Sequence, residues 1–338
     1  MAGRDIVVVG GSAGSIEAVA ELVRGLPQGF AGSLFVVVHF PGSVTSTLPR
    51  ILSRAGPLPA SHATDGERIE PGRIYVARPD CHLLLNDGHV SLTRGPKENG
   101  HRPALDPLFR TAAHSYGSRV VGVVLSGNLN DGTAGLLTIK QRGGMAIAQS
   151  LDTALYPGMP KSAIEHVAVD HVLSPPEIAR LITELVRQPI PSLEVVPMSE
   201  ELSLGQPDEV ARADRQTQPG VPSTMACPEC HGVLWEVKDE ELVRFRCRVG
   251  HAYSDEALLV HQAEQLEAAL WTALRALEEH LALAKRLASR ASQRGHVHSA
   301  SVFTEQFMDA EQHATVIRDV LQEGIRTGSA ADVAAVST

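Results

Sequence analysis

The sequence predicts an α/β domain built on a doubly wound, mostly parallel sheet, followed by two smaller folded elements. Two observations carry the α/β assignment. Short runs of Val and Ile recur at 6–9 (IVVV), 34–39 (LFVVVH), 73–77 (RIYVA), 120–126 (VVGVVLS) and 143–149 (GGMAIAQ). They are continuously apolar, as strands covered on both faces are. Between them lie amphipathic stretches such as SIEAVAELVRGL and DPLFRTAAHSYG at 106–117. Alternation of the two types builds parallel βαβ units.

Composition narrows the function. The chain has 338 residues, 43% of them apolar, and a formal charge of -9. That balance argues against a general affinity for nucleic acid or an anionic membrane. No apolar run approaches the ~20 residues of a membrane span. The start, MAGRDIVVV, lacks a basic segment leading into a long apolar core, so no signal peptide is expected. Four cysteines suit a reducing compartment. A cytoplasmic protein is the expectation.

Beyond the α/β region (1–188) the character changes. Residues 189–224 are rich in Pro, Ser and acidic residues and read as a linker. A compact segment, 225–253, contains CPECHGVLWEVKDEELVRFRCRVGH. Residues 254–327 carry apolar residues at helical spacing: Leu266, Leu270, Leu274, Leu277 and Leu281, then Phe303, Phe307, Ala310, Ala314, Ile317 and Leu321. This is the pattern of an antiparallel helical hairpin, and 328–338 is left as a tail.

The first strand runs into GGSAGS. A dinucleotide-binding turn needs glycines where Ser12 and Ser15 stand, and no P-loop lysine follows. What remains is a hydroxyl at the carboxyl end of a central strand, where open α/β sheets form their sites. On the turn alone, Ser12 reads either as a nucleophile or as the commoner helix cap. His39 ends another strand, and Asp131 lies in the Gly-rich turn of VVGVVLSGNLNDGTAG. Each is weak evidence singly. Three such residues beyond buried strands of one parallel sheet converge on one crevice, which favours a serine, base and orienter set.

Those segments, with VVVHFPGSVTSTLPRIL, DGERIEPGRIYVARPDCHLLL, HRPALDPLFRTAA and YPGMPKSAIEHVAVDHVL, resemble in order the catalytic domain of the chemotaxis protein-glutamate methylesterases, the CheB family. The resemblance covers roughly residues 5–185. It implies Ser12 as nucleophile, His39 as general base and acid, and Asp131 as orienter. The backbone N–H groups of Ala13 and Asn128 would form the oxyanion site. The implied reaction is hydrolysis of glutamyl methyl esters on chemoreceptor cytoplasmic helices, with deamidation of receptor glutamines by the same acyl route. Ser15, Asn128 and Leu129 depart from the family's pattern. The chain opens at the esterase's first strand, so phosphorylation within it is not expected to regulate it. A different class of function, a signalling scaffold that binds partners through its C-terminal module, would not need all three triad residues. His82, His101, Arg102 and Asp106 fall in family-like segments, where a place at the cleft and ordinary packing explain them equally.

Cys227-Pro-Glu-Cys230, Cys247 and His251 have the spacing of a tetrahedral Cys3His zinc site. His231 is an alternative fourth ligand, and CPECH also spells a haem-attachment motif, disfavoured without an export signal. Such a ribbon has almost no core and needs the metal to fold. With its ligands all occupied, the zinc would be structural. The acidic linker implies two independent modules, with small-ester turnover surviving metal removal. Cys81 lies far from the cluster in sequence.

Overall fold

The computed structural model describes residues 3–39, 46–190, 220–239 and 242–323. The chain divides into two units, Met1–Leu258 and Leu259–Thr338. In the first, strand β1 (Ile6–Gly11) is the centre of a seven-stranded sheet. The others are β2 (Ser33–Val38), β3 (Ala60–His62), β4 (Ile74–Val76), β7 (Val120–Val124), β8 (Met145–Gln149) and β9 (His171–Leu173). Their order is β3-β4-β2-β1-β7-β8-β9, and every pairing is parallel.

The continuous Val runs have a direct cause: both faces of the sheet are covered. Val7 and Val9 face one core with Leu34 and Val36, while Ile6 and Val8 face the other with Phe35 and Val37. Helices α1 (Ser15–Arg24), α2 (Leu48–Ala55) and α6 (Pro175–Leu185) cover the first face. Helices α3 (Leu105–Tyr116), α4 (Thr133–Gln141) and α5 (Gly158–His166) cover the second. The chain crosses from one half of the sheet to the other between β1 and β7. That reversal opens a crevice at the strands' carboxyl ends.

The sequence reading did not contain the hairpin of β5 (His82–Asn86) and β6 (His89–Thr93). A two-residue Asp87-Gly88 turn closes it, with Gly88 at φ 74°. It leans on α3, where the Leu85 N–H donates to Thr111 Oγ1 at 3.1 Å. Strands β3 and β9, three residues each and without a run of Val and Ile, were also absent from that reading.

The segment around the cysteines is a four-stranded antiparallel sheet: β10 (Val221–Ala226), β11 (Val233–Asp239), β12 (Leu242–Cys247) and β13 (Ala252–Ser254). Strand β10 begins inside the stretch expected to be linker; most of that stretch, and the tail from residue 324, lies outside the described residues. The ribbon is not a separate body, contrary to the expectation drawn from the linker. It belongs to the same unit as the large sheet and pairs its β13 with residues 97–99.

In the second unit, α7 (Asp255–Gln293) and α8 (Val297–Glu323) form the expected hairpin about Gly295, at φ 72°. Lys285 lies over the Phe307 ring, and Arg318 pairs with Glu278 at 3.0 Å. Its seam keeps Leu274, Ala310 and Ala314 of the expected rows, leaves Leu266 outside and adds two alanines. Ala284, Ala291, Ala310 and Ala314 are buried with Leu274, while Leu266 is half exposed. Small residues let two helices approach closely, so alanines take the seam and longer chains splay to its edges.

Phe109 is fully buried on α3, and a β-carbon on Gly135 of α4 would lie 2.5 Å from its own β-carbon. Nothing can move in to replace the ring at so close a helix contact. Phe109→Ala is expected to cost about 3–5 kcal/mol, read as a lower urea midpoint with unchanged m-value. A loss below about 1 kcal/mol would show that the α3–α4 interface relaxes.

Candidate active site and metal cluster

Ser12 stands one residue past β1, its N–H donating to Ser126 O at 2.9 Å. It does not cap α1. The cap position is Gly14, at φ 71°, and no side chain caps the helix there. The Ser15 hydroxyl turns back and donates to Ser12 O at 2.6 Å. The Ser12 hydroxyl is therefore released from structural duty. It opens on a cleft of about 580 Å³ lined by Ala13, Gly14, Ile16, His39 and Leu155 among others.

Residues 126–129 follow β7 and run close beside Ser12. A β-carbon on Gly127 would fall 2.9 Å from Ser12 Cβ and 2.1 Å from Met159 Sδ, so only glycine permits the approach. The loop is laced in place: Ser126 Oγ donates to Ala13 O at 2.8 Å, Gly127 N–H to Tyr156 O at 2.8 Å, and Met159 N–H to Gly127 O at 2.8 Å. Leu129 takes a left-handed φ of 61°. The N–H groups of Ala13 and Asn128 flank this turn and donate to no described residue. An oxyanion on a substrate would need such a pair.

His39 ends β2 and meets Asp131 across the crevice, Nε2 to Oδ2, at 2.8 Å. Both side chains are almost wholly buried, 6% and 3% exposed. With its proton on Nε2 facing the carboxylate, the imidazole keeps the Nδ1 lone pair, which is buried and has no hydrogen-bond partner among the described residues. Ser12 and His39 line one cleft without a hydrogen bond between them. Unliganded sites often hold this contact long.

Asp131 is the most heavily supplied group. Its Oδ2 also accepts from the Leu105 N–H at 2.8 Å; its Oδ1 accepts from Asn99 Nδ2 at 3.1 Å and, weakly, from the Asp106 N–H at 3.5 Å. Leu105 and Asp106 open α3, so the free N–H groups of a helix start point at the carboxylate. Burial alone would raise the Asp131 carboxyl. The hydrogen bond and charge of His39, together with the Leu105 N–H, outweigh it and hold the carboxyl far below the ordinary range. Asp106 moves the other way, pushed up to about 6 by burial and by the Asp131 charge. On acidification, Asp106 takes up a proton first and the Asp131 carboxylate stays ionised.

Of the unassigned histidines, His101 stacks on the His39 ring, centroids 3.8 Å apart and planes at 16°. His82 is structural. Its Nε2–H donates to Pro96 O at 2.9 Å, and its Nδ1 accepts from the Ala104 N–H at 3.3 Å. This pairing fixes the neutral form, and burial lowers its pKa. Arg102 grips Asp80 through Nε and Nη2 at 2.9 and 2.6 Å and braces the loop that carries His101. Asn99 escaped the sequence reading altogether. Only its polar type, just before HRPALDP, hinted at a role.

Cys227, Cys230, Cys247 and His251 bring their ligand atoms within 4.8 Å of one another. Cys230 Sγ and Cys247 Sγ are 3.6 Å apart; His251 Nδ1 is 3.5 Å from Cys247 Sγ and 3.7 Å from Cys227 Sγ. A tetrahedral ion with metal–ligand bonds of ~2.0–2.3 Å requires edges of roughly 3.5–3.8 Å. The four residues can hold a metal ion. The exposed His231, at φ 59°, and Cys81 lie outside the cluster.

The family described as CheB methylesterase matches residues 7–182. A protein-glutamate methylesterase/protein-glutamine glutaminase of Anaeromyxobacter dehalogenans is 38% identical, with 54% of each chain covered. A putative enzyme of the same name from Leptospira interrogans is 38% identical over 54% of this chain and 94% of its own. The chain thus spans about half the length of the first relative and nearly all of the second. The solved Thermotoga maritima CheB methylesterase catalytic domain superposes with a TM-score of 0.52 at 36% identity, covering 54% of this chain and 98% of that one.

Glu98 ties the ribbon to α3, accepting from Arg110 at 2.6 Å and from Arg244 of β12 at 3.4 Å. Burial would raise its carboxyl, but the two arginines lower it from 4.5 to about 2. A depressed acid contributes stability that is complete above its unfolded pKa and lost as pH falls through the folded one. Wild type should exceed Glu98→Gln by on the order of 3 kcal/mol at pH 7, with the gap closing between about pH 4.5 and 2. Thermal melts across that window test this, and a pH-independent gap would refute it.

Proposed function

As the chain belongs to the CheB methylesterase family, we propose that it hydrolyses glutamyl methyl esters on the cytoplasmic helices of methyl-accepting chemoreceptors, serving chemosensory adaptation in the cytoplasm. Deamidation of receptor glutamines follows the same acyl route. The observation that carries this reading is the buried His39–Asp131 pair: the His39 Nδ1 has no hydrogen-bond partner among the described residues, and His39 lines one cleft with Ser12. Among the described residues, no helix is long and apolar enough to cross a membrane, so the substrate helices would be met from the aqueous side.

In the first half-reaction His39 Nδ1 takes the Ser12 proton while Oγ adds to the ester carbonyl carbon. The tetrahedral oxyanion lies against the Ala13 and Asn128 N–H groups. His39 then returns the proton to the departing methoxide, releasing methanol and leaving the acyl-serine. In the second half, water loses its proton to Nδ1 as it attacks, and collapse restores Ser12 and frees the glutamate. Asp131 holds the Nε2 proton throughout and stabilises the imidazolium formed twice per turnover. A glutamine substrate differs only in its leaving group, ammonia.

Zinc fits the Cys3His cluster by softness and by edge length. With four protein ligands it leaves no open position, so its contribution is structural. It closes a ribbon whose small core includes two of the ligand cysteines, Cys227 and Cys247.

Methanol release from methylated receptor tests the reading. Ser12→Ala and His39→Ala should each lower the rate by roughly 10³–10⁶-fold, and the double variant should be no worse, because the residues act as a unit. Equal inactivity of wild type and Ser12→Ala, with receptor binding retained, would instead make the protein a scaffold. Zinc content should be one per chain and vanish in Cys227→Ser.

A further inference from the structure

We propose that the metal-binding ribbon positions the catalytic triad, with Asn99 as the residue through which it acts. Asn99 touches no substrate; it is a positioning residue. Its side chain is shared between two parts of the fold. Nδ2 donates to Asp131 Oδ1 at 3.1 Å, while Oδ1 accepts from the Ser254 N–H of β13 at 2.9 Å. Its backbone N–H donates to Ala252 O at 2.8 Å, and the Ala252 N–H donates back to Lys97 O at 3.3 Å.

The ribbon atoms that hold this strip lie next to metal ligands. Ala252 directly follows His251. Lys97 Nζ pairs at 2.6 Å with Glu229, the neighbour of Cys230. Glu98, between them, pairs with Arg244 on β12. Asn99 itself sits at φ 49°, in the left-handed region that asparagine enters more readily than most residues.

Asp131 needs that hold. Its Oδ2 is fixed by His39 and Leu105, while Oδ1 accepts from Asn99 and, more distantly, from the Asp106 N–H. Asp106 Oδ2 lies 3.4 Å from the same Asn99 amide, so Asn99 also stands between two buried carboxyl groups. Without it the carboxylate is free to rotate, and the imidazole loses its fixed aim at Ser12. A ribbon this small does not stay ordered without its ion. Metal loss therefore reaches the triad through β13 and Asn99, although no metal ligand belongs to the triad.

The inference rests on the esterase reading, and its test has one arm that does not. In the full chain loaded with zinc, hydrolysis of p-nitrophenyl acetate is measured before and after chelation. We expect kcat to fall 10- to 100-fold, KM to stay within about twofold, and added zinc to restore the rate. Asn99→Ala, with zinc content retained, should show the same loss and no further loss on chelation. The second arm is the low-field proton resonance of the His39–Asp131 hydrogen bond, which should shift or broaden on chelation and in Asn99→Ala. Wild-type kcat unchanged by chelation, while hydrogen exchange shows 227–254 unprotected, would overturn the proposal. So would an unmoved resonance. Absence of turnover in the zinc-loaded wild type would sink the esterase reading alone, and the resonance would still decide this one. The chelation arm uses wild type throughout, so it does not depend on how well a variant folds.

Discussion

The arrangement of the larger unit turns on one requirement: a carboxylate buried at the carboxyl edge of the sheet must be satisfied without water. An uncompensated buried charge costs several kcal/mol. Asp131 avoids that cost by drawing donors from three separate elements: His39 from the end of β2, the Leu105 N–H from the start of α3, and Asn99 from the loop that meets the ribbon. Each donor has been placed by a different part of the fold. The carboxylate is thus where strand order, helix start and ribbon docking are made mutually consistent.

A second carboxyl group so close would ordinarily spoil the arrangement. Asp106 also lies buried, and like charges raise the cost of ionising both. Here the asymmetry of partners resolves the conflict. Asp131 has the imidazole and a helix N-terminus, whereas Asp106 has the Gly135 N–H at 2.7 Å and a long contact to Asn99. The proton that the pair must share at mild acidity goes to Asp106. The residue that orients His39 is protected by a neighbour that titrates in its place.

Much of this was legible in the sequence because the signals were local. Continuous Val runs can be buried on two faces only, and they named five of the seven sheet strands. Ser12, His39 and Asp131 each follow such a run, so topology alone brought them to one edge. The Cys-x-x-Cys knuckle and the later Cys and His pointed by spacing to the four residues that the fold brings together. What the sequence hid were consequences of packing. Ser12 looked like a cap because serine caps many helices, and only the left-handed Gly14 and the turned-back Ser15 show otherwise. Asn99 carries no motif, since its role comes from lying between Asp131 and a strand 155 positions away. The ribbon's docking was likewise concealed: a Pro-rich, acidic stretch announces a linker but says nothing about where its far end lands. The leucine row of the hairpin held at Leu274 but not at Leu266, since periodicity marks a face but not which residues on it meet.

The contact between Ser254 and Asn99 also bears on how the molecule is made. Synthesis is vectorial, and Asn99 leaves the ribosome 155 residues before its partner. At about 5–20 residues per second, that interval is roughly ten to thirty seconds. Within it the chain completes the large sheet, whose last strand ends at Leu173, and Ser12, His39 and Asp131 are then all present. The Ser254 N–H that holds the Asn99 side chain is not. The contact between Asn99 and β13 is therefore made only after the large sheet is complete. A growing polypeptide carries its buried carboxylate without the full set of neighbours until residue 254 has emerged.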